Sequence, residues 1–173
     1  RELVAAAFEN TSVRRLLNLY GPSEDTTYST WKSFTGRVGE QPTIGVPLPN
    51  TVAYVLTPEG GLVPSGTIGE LHLGGARLSS GYLDDPERTA AAFVPTPAHL
   101  TGAPVRTLYR TGDLVRWTET GELRFMGRAD TQVKVRGFRI ELGEIEAVLR
   151  QAVGLRDVAA LAVRRGDDTL LVC

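Results

Sequence analysis

Chain breakers set the first limit on this sequence. Its 173 residues hold 19 glycines and 10 prolines, and between residues 43 and 129 they leave only short runs, with no room for a long helix. "TVAYVLTPEG" alternates polar and apolar residues and closes in a Pro-Glu-Gly-Gly turn, and "TIGELHLGG" alternates around Ile68, Leu71 and Leu73. "LDDPERTAAAFV" switches to a short helix, with Asp85 placed to cap it and Pro86 in its first turn. "APVRTLYRTGDLVRWTETGELRFMGRAD" then returns to strands, with Glu119-Thr120-Gly121 as a hairpin turn. This pattern predicts a distorted β-barrel or sandwich over 43–129.

The flanks differ. Residues 2–8 read as the tail of a helix broken at Asn10-Thr11-Ser12, and Val13 to Leu19 as a strand of mixed burial. From Asp130 the character changes. In "QVKVRGFRIEL", Val133 and Val135 alternate with Lys134 and Arg136 before a turn at Gly137. "GEIEAVLRQAV" places Ile145, Val148 and Leu149 at helical spacing, with Glu144 and Glu146 near the positive helix start. "DVAALAVRRGDDTLLVC" reads as a hairpin around Gly166-Asp167-Asp168. Hairpin, helix, hairpin is the opening of a small α+β domain, so the expected division is 1–129 and 130–173. The chain starts at Arg1 without methionine and stops inside the apolar run "TLLVC", so both ends read as cuts in something larger.

Composition narrows the class. A 42% hydrophobic and 23% charged chain is globular. A net charge of −1 gives no reason to expect nucleic acid or a membrane surface as partner. No apolar run is long enough to span a bilayer. The single cysteine, Cys173, excludes an internal disulfide framework and fits a reducing, cytoplasmic setting. His72 and His99 lack metal-ligand neighbours in sequence, and Cys173 lacks a partner base.

The polar loop "NLYGPSEDTTYST" (18–30) follows the Val13–Leu19 run, and ligand sites of α/β proteins favour such strand ends. Asn18 offers an amide to a purine edge and Tyr20 a ring to its face. Ser23 offers a hydroxyl to a phosphate, and Glu24 a hard oxygen to Mg²⁺. Alone, the loop reads equally as a polar turn. "RTGDL" places Asp113 after a glycine at the end of an apolar strand, where a carboxylate can take both hydroxyls of a ribose; an ordinary Gly-Asp turn is the bland alternative. "GRAD" supplies Arg128 and Asp130, which can also simply pair with each other. Phe125 is either a second wall for adenine or plain core. Lys134, Arg136 and Arg139 make a solvated basic face, and "GELHLGGARLSSGYL" reads as structural, with no chemistry assigned to it.

Four blocks, in order, resemble the core motifs of the adenylate-forming superfamily, specifically amino-acid adenylation domains of non-ribosomal peptide synthetases. They are "NLYGPSE" (18–24), "GELHLGGARLSSGYLDDPERTAAAFV" (69–94), "LYRTGDLVRW" (108–117) and "GRADTQVKVRGFRIELGEIE" (127–146). The resemblance implies an α/β and α+β fold: the C-terminal part of the large adenylate-forming domain, a distorted β-barrel or sheet subdomain, followed by the start of the small α+β C-terminal domain. It places Asn18 and Tyr20 at adenine and Ser23, where most members have threonine, near the phosphates. Glu24 falls on the metal, Asp113 on the ribose, and Arg128 on the ribose and phosphate side. Asp130 becomes the hinge about which the C-terminal domain swings between two half-reactions, and the basic hairpin a lining of the pantetheine channel.

The resemblance also implies that Leu19, Thr27 and Tyr28 contact the substrate side chain, and a tyrosine there with no charge nearby leans toward a small neutral amino acid such as alanine. The implied reaction uses ATP and Mg²⁺, forms an aminoacyl-AMP, and passes the amino acid to phosphopantetheine on a carrier domain beside condensation domains. The phosphate loop, the aspartate for the substrate amine and the C-terminal lysine of the family fall outside these residues, so the chain alone is expected to be inactive. Alternatives are an acyl- or aryl-acid CoA ligase of the same superfamily and a decayed, non-catalytic scaffold domain.

Overall fold

The computed structural model describes residues 2–36, 42–100, 103–130, 132–135, 138–153, 157–165 and 168–173. They form two compact units, Arg1–Gly127 and Arg128–Cys173. The turn expected at Gly137, the charge of Arg136 and the Gly166-Asp167 turn lie outside the described residues, as do the side chains of Lys134 and Arg139.

The first unit opens with α1 (Glu2–Asn10) and a small sheet in which β1 (Leu16–Tyr20) pairs antiparallel with β2 (Thr30–Phe34), and β2 with β3 (Val46–Pro47). The strand expected from Val13 begins three residues later. Thr11 Oγ1 accepts the Val13 N–H at 3.1 Å, a local turn that competes with a ladder, and β2 ends at Phe34, opposite Leu16.

The second sheet has the order β4 (Thr51–Leu56), β5 (Gly69–Gly75), β7 (Thr107–Trp117), β6 (Phe93–Pro95), with β8 (Leu123–Arg128) also on β7. The two sheets join at a bridge: Leu123 N–H donates to Gly45 O at 2.8 Å and Ile44 N–H to Leu123 O at 2.9 Å. A second tie stands beside it. Lys32 of β2 pairs with Glu122, whose other carboxylate oxygen accepts from Thr43 Oγ1 at 2.7 Å. The result is curled β-structure around Ile44, Val55, Leu71, Leu73, Val115 and Leu123.

The alternation read in "TIGELHLGG" holds for Leu71 and Leu73, both fully buried, but not for Ile68, which precedes β5 and is 48% exposed. Ile68 is out of phase with them, because a strand repeats every two residues. Between β5 and β6, α2 (Pro86–Ala92) forms as expected, with Asp85 Oδ1 accepting the Arg88 N–H at 2.9 Å.

His72 is buried within β5, Nδ1 3.1 Å from its neighbour Glu70 O and flanked in register by Tyr54 and Arg110. Burial pushes its pKa below the ordinary imidazole value, against the opposing pull of the Glu70 carbonyl and carboxylate. The fold accepts the neutral ring. The unfolded chain therefore binds a proton that the folded chain refuses, and stability falls as pH drops below about 6.5. His72→Gln is expected to flatten that dependence in thermal melts run between about pH 8 and about pH 5.

In the second unit β9 (Val133–Val135) pairs antiparallel with β10 (Phe138–Ile140), and β11 (Leu161–Arg165) with β12 (Asp168–Val172), on either side of α3 (Leu142–Val153) in sequence. Val148, expected on the inner stripe of α3, is 63% exposed. At about 100° per residue it stands roughly 120° from Leu142, whereas Ile145, Glu146 and Leu149 stay within about 60°. Glu146 takes the place expected of Val148: half-buried, it accepts the Ala160 N–H at 3.0 Å and pairs with Arg150 at 3.2 Å. Among the described residues no helix is long and apolar enough to cross a membrane.

Candidate nucleotide and metal site

Asp113 owes its position to a bulge. On β5–β7 the register runs His72 to Arg110 and then Glu70 to Leu114, so Thr111, Gly112 and Asp113 together face the single residue Leu71. The sequence suggests a strand ending here; instead the strand continues to Trp117 and bulges. Each bulge residue is held. Thr111 Oγ1 donates to Leu71 O at 2.8 Å and accepts the Asp113 N–H at 3.0 Å. Gly112, at φ 70°, donates its N–H to Glu70 Oε1 at 3.2 Å, and Glu70 Oε2 pairs with Arg110. Bulges of this kind re-aim a side chain, and the Asp113 carboxylate here accepts a hydrogen bond from the Tyr20 hydroxyl. Two residues 93 apart in sequence thus meet where β1 ends.

Tyr20 leads directly into the polar loop. Ser29 N–H returns to Tyr20 O at 2.7 Å, closing residues 21–29 so tightly that a Cβ on Gly21 would stand 2.6 Å from both Ser29 N and Thr27 O. Ser23–Asp25 form one 3-10 turn, after which Thr26 and Thr27 both have positive φ, 50° and 73°. Two consecutive β-branched residues in that region are strained, and such strain gathers at ligand-binding loops. Asp25 is fully buried, and burial pushes its carboxyl above the usual range against the pull of the Ser29 hydroxyl and the Arg77 charge.

The loop is fastened from one side by residues 77–82. Ser79 N–H donates to Glu24 O at 2.8 Å, and Tyr82 Oη donates to Glu24 Oε1 at 2.7 Å. Thr26 Oγ1 donates to Arg77 O at 2.5 Å, and Arg77 Nη1 to Tyr28 O at 3.4 Å. The block "GELHLGGARLSSGYL", read from sequence as purely structural, therefore touches the candidate site directly. Nothing in the sequence pairs Tyr82 with a carboxylate 58 positions away. Burial, the hydrogen bond to Glu24 and the neighbouring Tyr109 all push the Tyr82 hydroxyl well above the phenol range, so it stays a donor.

The other candidates make their own contacts or stand exposed. Asn18 spends its amide nitrogen on Thr43 O at 2.8 Å. Leu19, on the opposite face of β1, is 40% exposed and Tyr28 45% exposed, and Ser23 and Thr27 are exposed as well. Phe125 lies on β8, 37% exposed. In the second unit, Arg128 and Asp130 bond to each other through two contacts, Nε to Oδ1 at 2.8 Å and Nη2 to Oδ2 at 2.5 Å, and Oδ1 also accepts the Gln132 N–H.

Glu24 fits a hard cation. It is half-buried, and one oxygen is oriented by a neutral donor. Among the described residues no group of three or more His, Cys, Asp or Glu could hold a metal unaided, and Mg²⁺ bound through one carboxylate and substrate phosphates needs no such group.

The chain is similar to known proteins. The family model "AMP-binding enzyme" matches residues 1–83. A linear gramicidin synthase of Brevibacillus parabrevis is 51% identical over 150 residues, covering 87% of this chain and 3% of that protein. Among solved structures, PA1221, an NRPS protein containing adenylation and PCP domains, superposes with TM-score 0.78 at 36% identity, over 92% of this chain and 32% of that one. The Vibrio cholerae adenylation domain AlmE, solved in complex with glycyl-adenosine-5'-phosphate, gives TM-score 0.73 at 34% identity, over 88% and 29%. The chain thus spans only a small part of its curated relative and about a third of each of these solved chains. It belongs to the AMP-binding enzymes, as a segment of an adenylation domain of the kind found in non-ribosomal peptide synthetases.

Proposed function

We propose that this chain serves a complete adenylation domain that activates an amino acid with ATP. The amino-acid carboxylate attacks the α-phosphorus of ATP, pyrophosphate leaves, and an aminoacyl-AMP forms. A phosphopantetheine thiol on a carrier domain then attacks the activated carbonyl and AMP departs. The observation that carries this reading is the meeting of Tyr20 with the bulge-held Asp113 next to the strained loop that bears Glu24.

In this reading Asp113 accepts the two ribose hydroxyls, Asn18 and Tyr20 border the adenine, and Phe125 forms its second wall. Ser23 donates to a phosphate oxygen. Glu24 would hold Mg²⁺, which when bound neutralises developing phosphate charge; positioning and charge neutralisation supply most of the catalysis in such transfers. Arg128 contacts the ribose and phosphate side, and Asp130 is the hinge between a large domain ending at 129 and a mobile one beginning at 130. Leu19, Thr27 and Tyr28 line the side-chain pocket and favour a small neutral amino acid. Condensation domains beside the carrier and a cytoplasmic setting complete the assignment.

The test is ATP–pyrophosphate exchange by the complete domain carrying this chain, with a hydroxamate assay across the amino acids. Exchange dependent on one small neutral amino acid is the expected result. Preference for a charged or large aromatic amino acid overturns the pocket assignment. Exchange only with acids lacking an amine, followed by transfer to coenzyme A, replaces the reading with an acyl-CoA ligase. No exchange with any acid marks a scaffold.

A further inference from the structure

We propose that Tyr82 is a positioning residue for the metal-binding carboxylate, acting through Glu24 rather than on substrate; this rests on the function proposed above. The Tyr82 hydroxyl donates to Glu24 Oε1 at 2.7 Å. Holding one oxygen fixes the plane of the carboxylate and with it the direction in which the other oxygen is presented. Outer donors of this kind set the orientation of a metal ligand, and their loss weakens metal binding by about 10–100-fold.

A donor can orient only if it is itself held, and Tyr82 is held on every side. The Arg88 guanidinium lies 4.6 Å from its ring centroid, and Phe93 meets it edge-on at 5.9 Å. Thr89 Oγ1 accepts its backbone N–H at 2.9 Å. Phe93 in turn packs at 5.1 Å on Tyr109, which is buried in β7 two residues before the Thr111–Asp113 bulge. Arg88 and Thr89 sit in the first turns of α2, whose start Asp85 and Pro86 fix. The capped helix is thereby the mount for a tyrosine aimed at Glu24. The backbone bond from Ser79 N–H to Glu24 O brings the two loops into register, so the hydroxyl meets the carboxylate without a search.

The experiment titrates Mn²⁺ into the complete domain with a non-hydrolysable ATP analogue, followed by electron paramagnetic resonance, and measures the Mg²⁺ half-saturation of exchange in parallel. Tyr82→Phe keeps the ring and its packing and removes only the hydroxyl, with its bonds to Glu24 and Tyr109. It is expected to weaken Mn²⁺ binding by about 10–100-fold and to raise the Mg²⁺ requirement by a similar factor. In a Glu24→Gln background the same change should have no further effect, because the two residues act as one unit. Mn²⁺ affinity within about twofold of wild type overturns the proposal, as does an equal loss in the Glu24→Gln background. A wild-type domain that binds no Mn²⁺ and exchanges no pyrophosphate overturns the parent reading as well. One that does both but ignores Tyr82→Phe overturns this inference alone.

Discussion

Asp113→Ala is expected to lower kcat/KM for ATP by roughly 10²–10⁴ in pyrophosphate exchange, the result of losing two charge-assisted hydrogen bonds of about 1.5–3 kcal/mol each. Both bonds are made to the ribose, away from the reacting phosphorus, so most of the loss should fall on KM and less on kcat. The fold should survive. The bulge is fixed by the Thr111 hydroxyl, the Gly112 N–H and the Asp113 N–H, none of which is a group of the Asp113 side chain. Tyr20→Phe leaves the carboxylate but removes the proton that orients it, and a loss of about tenfold is expected. Asp113→Ala with an unchanged KM for ATP would reduce the carboxylate to a tether for Tyr20.

What the sequence made legible was whatever depended on neighbours in the chain. Asp85 and Pro86 announce the start of α2, and Leu71 and Leu73 the buried face of β5. Glu119-Thr120-Gly121 marks the turn between β7 and β8, where Gly121 N–H meets Thr118 O at 3.0 Å. The polar loop reads as a loop because six hydroxyl side chains, Tyr20 aside, crowd residues 18–30 directly after an apolar run. What stayed hidden depended on residues far away in sequence. "RTGDL" looked like a strand end because the partners that make it a bulge, Leu71 and Glu70, lie some 40 positions earlier. Tyr82 lies in a block that reads as structural, because its carboxylate partner belongs to another loop. The stripe on α3 misplaced Val148 for a different reason: a half-buried glutamate satisfied by a backbone N–H fills a position that hydrophobic spacing assigns to an apolar side chain.

The largest effect on stability is expected from Gly45→Ala, by about 4 kcal/mol or more, seen as loss of soluble domain or a collapse of its thermal melting point. Gly45 has φ +79°, and an added Cβ would stand 1.8 Å from Trp31 O and 2.3 Å from its carbonyl carbon. Those are backbone atoms of β2, which no rotamer can clear. The left-handed backbone alone costs an alanine about 1 kcal/mol. The remainder comes from moving the strand, because Gly45 O and Ile44 N–H are the two groups that bond to Leu123 and join the two sheets. Ile44 and Leu123 also meet in the core. Gly36→Ala is the matched control: a Cβ there meets nothing within 4 Å, and a change within about 0.5 kcal/mol is expected. The same strain reaches the site. Asn18 bonds to Thr43 O, two residues before Gly45, and Tyr20 ends the strand that pairs with β2. Any Gly45→Ala protein that does fold should therefore also lose ATP affinity, through a displaced Tyr20 and a carboxylate on Asp113 that is no longer held.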